Sequence, residues 1–225
     1  GEPTVRKDLE EIVKTACDVG LYTNLITAGV LLTRERLERL RDAGLDHVQL
    51  SIQDVDPENA DRIAAYKGGS AKKREVARWV KELDMPLTIN APMHRQNVHN
   101  MQRIIDYAVE VGAGRLEVAH IQYYAWALKN RSALMPTKEA FMKTYEIVEA
   151  AKERLKGILV IDFVVPEKHR EAFAREMTRN GMEVVAVANS RAAVVGADVV
   201  CCATTAMMPV FDGDWRFDLH HGSRF

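Results

Sequence analysis

The sequence predicts an α/β protein built on parallel strands. Stretches of helical and of strand periodicity alternate almost without interruption, and Gly, Pro or a capping Thr or Asp marks many of the changes. Strands joined through helical crossovers pair in parallel, with right-handed connections. A further observation chooses among the parallel folds. Several strands alternate polar with apolar residues, whereas a sheet covered by helices on both faces calls for nearly continuous apolar runs. An arc or barrel with helices outside and polar groups on its concave face is therefore expected, rather than an open doubly wound sheet.

Each element has a local reason. Val5, Leu9, Ile12, Val13 and Ala16 form one stripe of a helix over 5–19, which Gly20 stops. LYTNLIT (21–27) follows as a strand, with Asn24 on the face away from Leu25. Thr33 can cap a helix through Leu37 and Leu40 that Gly44 closes. HVQLSI (47–52) is the next strand; His47, Gln49, Ser51 and Gln53 share one face, opposite Val48, Leu50 and Ile52. Asp56-Pro57 opens a short helix to about Tyr66, 67–70 is a loop, and 71–83 is helical. PLTINAPM (86–93) sets Thr88 and Asn90 against Leu87, Ile89 and Ala91. A helix over 97–111 and a strand over 115–122 follow, with Glu117 opposing Leu116 and Val118. Pro136-Thr137 opens a long helix to about Leu155, and ILVIDFVV (158–165) reads as a buried strand. Helix 167–180, strand 182–187, helix 190–195 and strand 197–203 complete the series.

Composition narrows the function classes. Net charge is -1, from 31 basic and 32 acidic residues, and basic residues alternate with acids, as in Arg34, Glu35, Arg36, Glu38 and Arg39. That balance gives no electrostatic case for nucleic acid or an anionic membrane. No apolar run reaches bilayer length and no signal peptide precedes the first helix, so the expected compartment is the cytoplasm. Cys17, Cys201 and Cys202 are too few for a disulfide framework, and adjacent strand residues are poor co-ligands for one metal. Parallel strands bind ligands at their C-terminal ends. The candidates there are Glu2, Asn24, Ser51, Gln53, Asp54, Asn90, His94 and Gln122. Singly, each also reads as an interior residue satisfied by its neighbours; their recurrence on successive strands carries the argument.

The stretches GEPTVRKDLEEIV, GLYTNLITAGVLL, HVQLSIQD, HRQN and LEVAHIQYYAWALKNRSALMP resemble the radical SAM enzymes of pyrroloquinoline quinone biosynthesis, from Gly1 to about Pro166. The resemblance implies a partial radical SAM (TIM-like) barrel over 1–165. Gly1-Glu2-Pro3 looks like the end of that family's Gly-Gly-Glu-Pro motif, so the chain is expected to begin inside a larger barrel. In the family, an upstream CxxxCxxC loop holds a [4Fe-4S] cluster that reduces S-adenosylmethionine, and soft thiolates suit that task. The spacing occurs nowhere in this sequence, so the radical reaction is not expected of this chain alone. The implied family reaction joins a Glu and a Tyr of a precursor peptide by a carbon–carbon bond; the implied partners are that peptide and its carrier protein. The implied cofactor-binding residues are Gly1, Glu2, Pro3, Asn24, Ser51, Gln53, Asp54, Asn90 and Gln122. Glu2 would meet the methionyl amino group, and Ser51 with Gln53 or Asp54 the ribose or carboxylate. Ala125 stands where the family is expected to have glycine; a positive φ there would cost about 1 kcal/mol.

From about Pro166 to 215 the sequence resembles instead the NAD-binding domain of the ornithine cyclodeaminase/μ-crystallin family, as a Rossmann-like segment. Residues 203–206 would lie beside the dinucleotide. The phosphate-binding glycine loop of such domains does not precede the segment, so strong NAD binding is not expected. Residues 216–225, with His220-His221, read as a flexible tail. Three functions follow: a radical SAM peptide-modifying protein or part of one, an NAD-dependent cyclodeaminase relative, or a non-catalytic mosaic of the two. Exposed strand edges at both ends would invite homodimerisation.

Overall fold

The computed structural model describes residues 2–121, 123 and 125–164. The elements expected over 167–203, the tail, and the candidates Gly1 and Gln122 lie outside the described residues. The chain divides into two units, Gly1–Pro166 and Glu167–Phe225.

Five parallel strands form one sheet in sequential order: β1 (Asn24–Thr27), β2 (His47–Ser51), β3 (Leu87–Met93), β4 (Arg115–His120) and β5 (Val160–Val164). A doubly wound sheet reverses its strand order at a switch point. This one never does, which is the topology of a barrel arc. Among the described residues α1 (Leu9–Asp18) precedes β1, and the helices between strands are α2 (Arg34–Asp42), α3 (Pro57–Ala64), α4 (Gly69–Glu82), α5 (Met101–Glu110), α6 (Ala125–Lys129), α7 (Arg131–Leu134) and α8 (Lys138–Arg154). No described helix is long and apolar enough to cross a membrane.

The core lies between the sheet and its helices. Val48, Leu50, Ile89, Leu116 and Val118 are fully enclosed against Leu37, Leu40, Val76, Val80, Ile104, Ile105 and Val148. Burying each such side chain contributes about 1.5–3 kcal/mol. Gly29 sits within this packing at φ 76°, where an added Cβ would come 2.7 Å from Leu50 Cδ1.

Capping sets several boundaries. Thr33 accepts from Arg36 N at 3.2 Å, Asp56 from Asn59 N at 2.8 Å and Thr137 from Ala140 N at 3.2 Å, each at a helix start expected from sequence. Other boundaries move. Pro3–Val5 is a separate 3-10 turn with Val5 64% exposed, and α1 begins only at Leu9. Asp8 gives α1 no side-chain cap because its carboxylate is held by Arg6, at 3.0 and 2.6 Å. β1 is shorter than 21–27: Thr23 N and Oγ1 donate to Asp46 Oδ2, at 2.7 and 2.9 Å. Conversely, α4 starts two residues early because Asp61 accepts from Gly68 N and Ser70 N. The run expected as a buried strand is buried on one face: Leu159 and Ile161 are 3% and 5% exposed, while Val160, on the other face of β5, is 51% exposed. The short helices α6 and α7 were not foreseen; α7 has no capping side chain, and neither has a buried residue to make a stripe.

Candidate functional site

The face of the sheet away from the core is polar, as the alternation requires. Register aligns its residues in rows: Asn24 beside His47; Gln49, Thr88 and Arg115; and Ser51, Asn90, Glu117 and Asp162. Hydrogen bonds stitch across these rows. Tyr22 Oη lies 2.8 Å from His47 Nδ1, and His47 Nε2 lies 2.8 Å from Thr88 Oγ1. Asn24 Nδ2 donates to Gln49 Oε1 at 3.1 Å, Gln49 Nε2 to Glu117 Oε2 at 3.0 Å, and Arg115 to Asp162. Burial, then the nearby Arg115 cation, lowers the His47 pKa, which favours the neutral ring.

At Asn90 the network stops. Its Oδ1 is buried without a hydrogen-bond partner among the described residues, one register step from Ser51. Such an orphaned acceptor costs about 1–3 kcal/mol unless something donates to it. It fits a ligand hydroxyl or ammonium entering the concave face.

Three sequence candidates prove more structural than exposed. Asp54 is buried, and its carboxylate accepts from Val55 N at 2.7 Å, from Asn100 Nδ2 at 3.0 Å to each oxygen, and from Asn59 Nδ2. It pins the β2 loop to α3 and α5 instead of presenting free oxygens. Gln53 accepts from Lys73 Nζ through Oε1, while its carbonyl accepts from Asn97 Nδ2 at 2.7 Å. His94 is buried; its Nδ1 accepts from Gln96 N at 3.2 Å, and burial foremost lowers its pKa, opposed by Asp54 and reinforced by Arg62. The HRQN stretch thus serves the fold: Asn97 bridges Gln53 and Pro92 carbonyls and accepts from His94 N at 2.8 Å.

Glu2 stands at the C-terminal end of β1. Its Oε1 accepts from Thr4 N at 3.1 Å, Thr4 Oγ1 at 2.6 Å and Thr27 Oγ1 at 2.6 Å; its Oε2 accepts from Ala28 N at 2.8 Å. Burial raises its pKa, but the hydrogen bonds from Thr27, Thr4 and Ala28 outweigh that and hold it below the usual carboxylate value. Oε2, with one partner, keeps capacity for a cationic donor. Pro3 is the first residue of the turn that Glu2 caps. Asn24 is exposed at the opposite end of the strand, away from Glu2 and Ser51.

Lys73 on α4 was not singled out in sequence. Only 5% exposed, it makes one hydrogen bond among the described residues, to Gln53, although an ammonium can donate more. Burial lowers its pKa to about 8, while Asp61 and Glu2 act to raise it. The rim of β1 and β2 thus places a buried cation near an acid with an open lone pair, a few residues from an orphaned acceptor. A molecule with carboxylate, ammonium and hydroxyl groups matches this donor set. The signal was a lysine on an otherwise apolar helix face, with Val76, Ala77 and Val80.

The cluster is another matter. Among the described residues Cys17 is exposed on α1, and no group of three His, Cys, Asp or Glu side chains converges on a metal position. These residues do not fit an iron–sulfur cluster. The segment that would carry NAD lies outside the described residues.

Ala125 begins α6 at φ 47°, the left-handed conformation that glycine adopts without strain.

Comparison with known proteins agrees with this architecture. The model of the radical SAM superfamily matches residues 1–108, and that of the ornithine cyclodeaminase/mu-crystallin family matches residues 128–220. The PqqA peptide cyclase of Bradyrhizobium diazoefficiens is 61% identical over 167 residues, which are 74% of this chain and 44% of the relative. The chain therefore spans less than half of that relative's length. Streptococcus suis SuiB bound to S-adenosylmethionine superposes with TM-score 0.64 at 17% identity, over 76% of this chain and 39% of SuiB. SuiB bound to its precursor peptide SuiA gives TM-score 0.63 at 16% identity, over 78% and 39%. At these identities the match to SuiB shows a shared fold.

Proposed function

We propose that this chain, which carries the radical SAM superfamily pattern over residues 1–108 and resembles PqqA peptide cyclases over 167 residues, supplies the S-adenosylmethionine-binding wall of a peptide-modifying protein in pyrroloquinoline quinone biosynthesis. One observation carries the reading: the orphaned Asn90 Oδ1, the underused Lys73 ammonium and the partly open Glu2 carboxylate gather toward the C-terminal side of adjacent strands. Lys73 would hold the methionyl carboxylate by a charge-assisted hydrogen bond, and Glu2 Oε2 the methionyl ammonium. Ser51 and Asn90 would orient the ribose hydroxyls. Asp54, Gln53 and Asn97 keep the rim rigid, so little ordering is needed on binding. S-adenosylmethionine, when bound, would supply a sulfonium that one-electron reduction can cleave; the described residues do not hold the reductant. The substrate is a precursor peptide, by analogy with the named relatives, and its carrier protein is a second partner.

Titration calorimetry of the purified chain with S-adenosylmethionine and, separately, with NAD tests this. Heat from S-adenosylmethionine that disappears in Lys73→Met supports the proposal; its absence from the unaltered chain overturns it. Heat from NAD alone would support a nicotinamide-binding protein, the reading favoured by the match over residues 128–220.

A further inference from the structure

Most exposed arginines among the described residues lie against a carboxylate, as Arg6 does on Asp8, Arg39 on Glu10 and Arg154 on Asp106. Arg62 and Arg103, like Arg95 and Arg131 on the Met135 segment, do not. Arg62 meets Gln96 Oε1 at 3.3 Å and Asn59 Oδ1, and Arg103 meets Asn100 Oδ1 at 3.3 Å; all are neutral acceptors. Both arginines line one open cleft of about 350 Å³ that also includes His99 and Asp56.

The cleft is a built feature. Its floor residues Asn59 and Asn100 are both held by the buried Asp54 carboxylate, so the arginines project from a fixed base. One wall is the first turn of α5, where Asn100 provides no side-chain cap. The positive end of that helix adds to the field of the two guanidinium groups. Asp56, the acid in the lining, already accepts from Asn59 N to cap α3. The segments after β2 and β3, with the helices α3 and α5 that they lead into, form the cleft, at the same end of the sheet as the Lys73 site.

We propose that this cleft binds carboxylate side chains of an extended peptide segment, with Arg62 and Arg103 each taking one acid. Planar guanidinium forks match carboxylates, and the Asp56 carboxylate in the same lining disfavours a compact dianion such as phosphate. The ligand chemistry stands on the cleft itself; that the segment belongs to the peptide substrate rests on the proposed function.

The test measures anisotropy of a short labelled peptide of alternating glutamates against the purified full chain. Its glutamine counterpart serves as neutral control and inorganic phosphate as competitor. The glutamate peptide should bind, and Arg62→Gln and Arg103→Gln should each weaken it about tenfold. Arg78→Gln, an exposed arginine paired with Glu82 elsewhere, should leave binding unchanged. Equal binding of the two peptides, undiminished binding by the Arg62→Gln/Arg103→Gln double variant, or binding of phosphate in place of peptide overturns the proposal. Calorimetry with S-adenosylmethionine separates the two readings. A chain that binds the glutamate peptide in this arginine-dependent way but not the cofactor keeps the cleft and loses the proposed function.

Discussion

On the helix-covered face of the sheet, Val48, Leu50, Ile89 and Leu116 have no exposure at all, while the same strands carry His47, Gln49, Thr88, Asn90 and Glu117 on the other. The two faces do different physical work. Apolar contact is non-directional and stabilises by area alone, so the first face is a volume to be filled. The second carries directional groups whose desolvation is compensated only if every donor and acceptor is matched. Most are matched, but among the described residues Asn90 Oδ1 is not, and at the rim of the sheet Lys73, reaching over from α4, is matched only partly. A sheet built for stability alone would have no reason to keep such groups; the proposed S-adenosylmethionine site would give them one.

The comparison can be broken most forcefully on the apolar face. Leu50→Ala, emptying a fully enclosed position, should cost about 2–5 kcal/mol in chemical denaturation, with S-adenosylmethionine affinity nearly unchanged in the fraction still folded. A cost near zero would mean that this face is not the core. Lys73→Met should act in the opposite sense: binding of S-adenosylmethionine lost, and stability raised by about 1–2 kcal/mol because no ammonium need be desolvated. Lost stability without lost binding would assign Lys73 to the fold instead of the site. Ala125→Gly should stabilise by about 1 kcal/mol by relieving the φ of 47°, and an unchanged melting temperature would argue against strain there.

The smallest effect concerns pH. Burial keeps His47 and His94 below the ordinary histidine pKa, so the unfolded chain binds their protons first as pH falls below about 6.5. Stability should therefore decline over that range, then level off once the folded histidines also protonate. His94→Gln should reduce the slope, and a slope identical to that of the unaltered chain would place the titration elsewhere.

Much of this was legible in sequence because it is local. The facing of Asn24, Gln49, Asn90 and Glu117 follows from a period of two, and the caps at Thr33, Asp56 and Thr137 from side chains that reach only a few residues. The extent of the first helix and first strand was not legible, because Asp8 and Thr23 spend their hydrogen bonds on Arg6 and Asp46. Asp54 read as a ligand contact for the same reason: a carboxylate after a strand looks alike whether it meets a cofactor or, as here, the amides of Asn59 and Asn100.

The sequence by itself determined the alternation of strands and helices, the polarity of one sheet face and the resemblance to radical SAM proteins, since each is written in residue order and short-range periodicity. Only the tertiary structure decided the sequential strand order, the tethering of Glu2 to Thr27, the reach of Lys73 to the β2 rim and the convergence of Arg62 with Arg103. Those depend on where residues distant along the chain come to lie, and no local pattern encodes which buried charge or acceptor will be left without a partner.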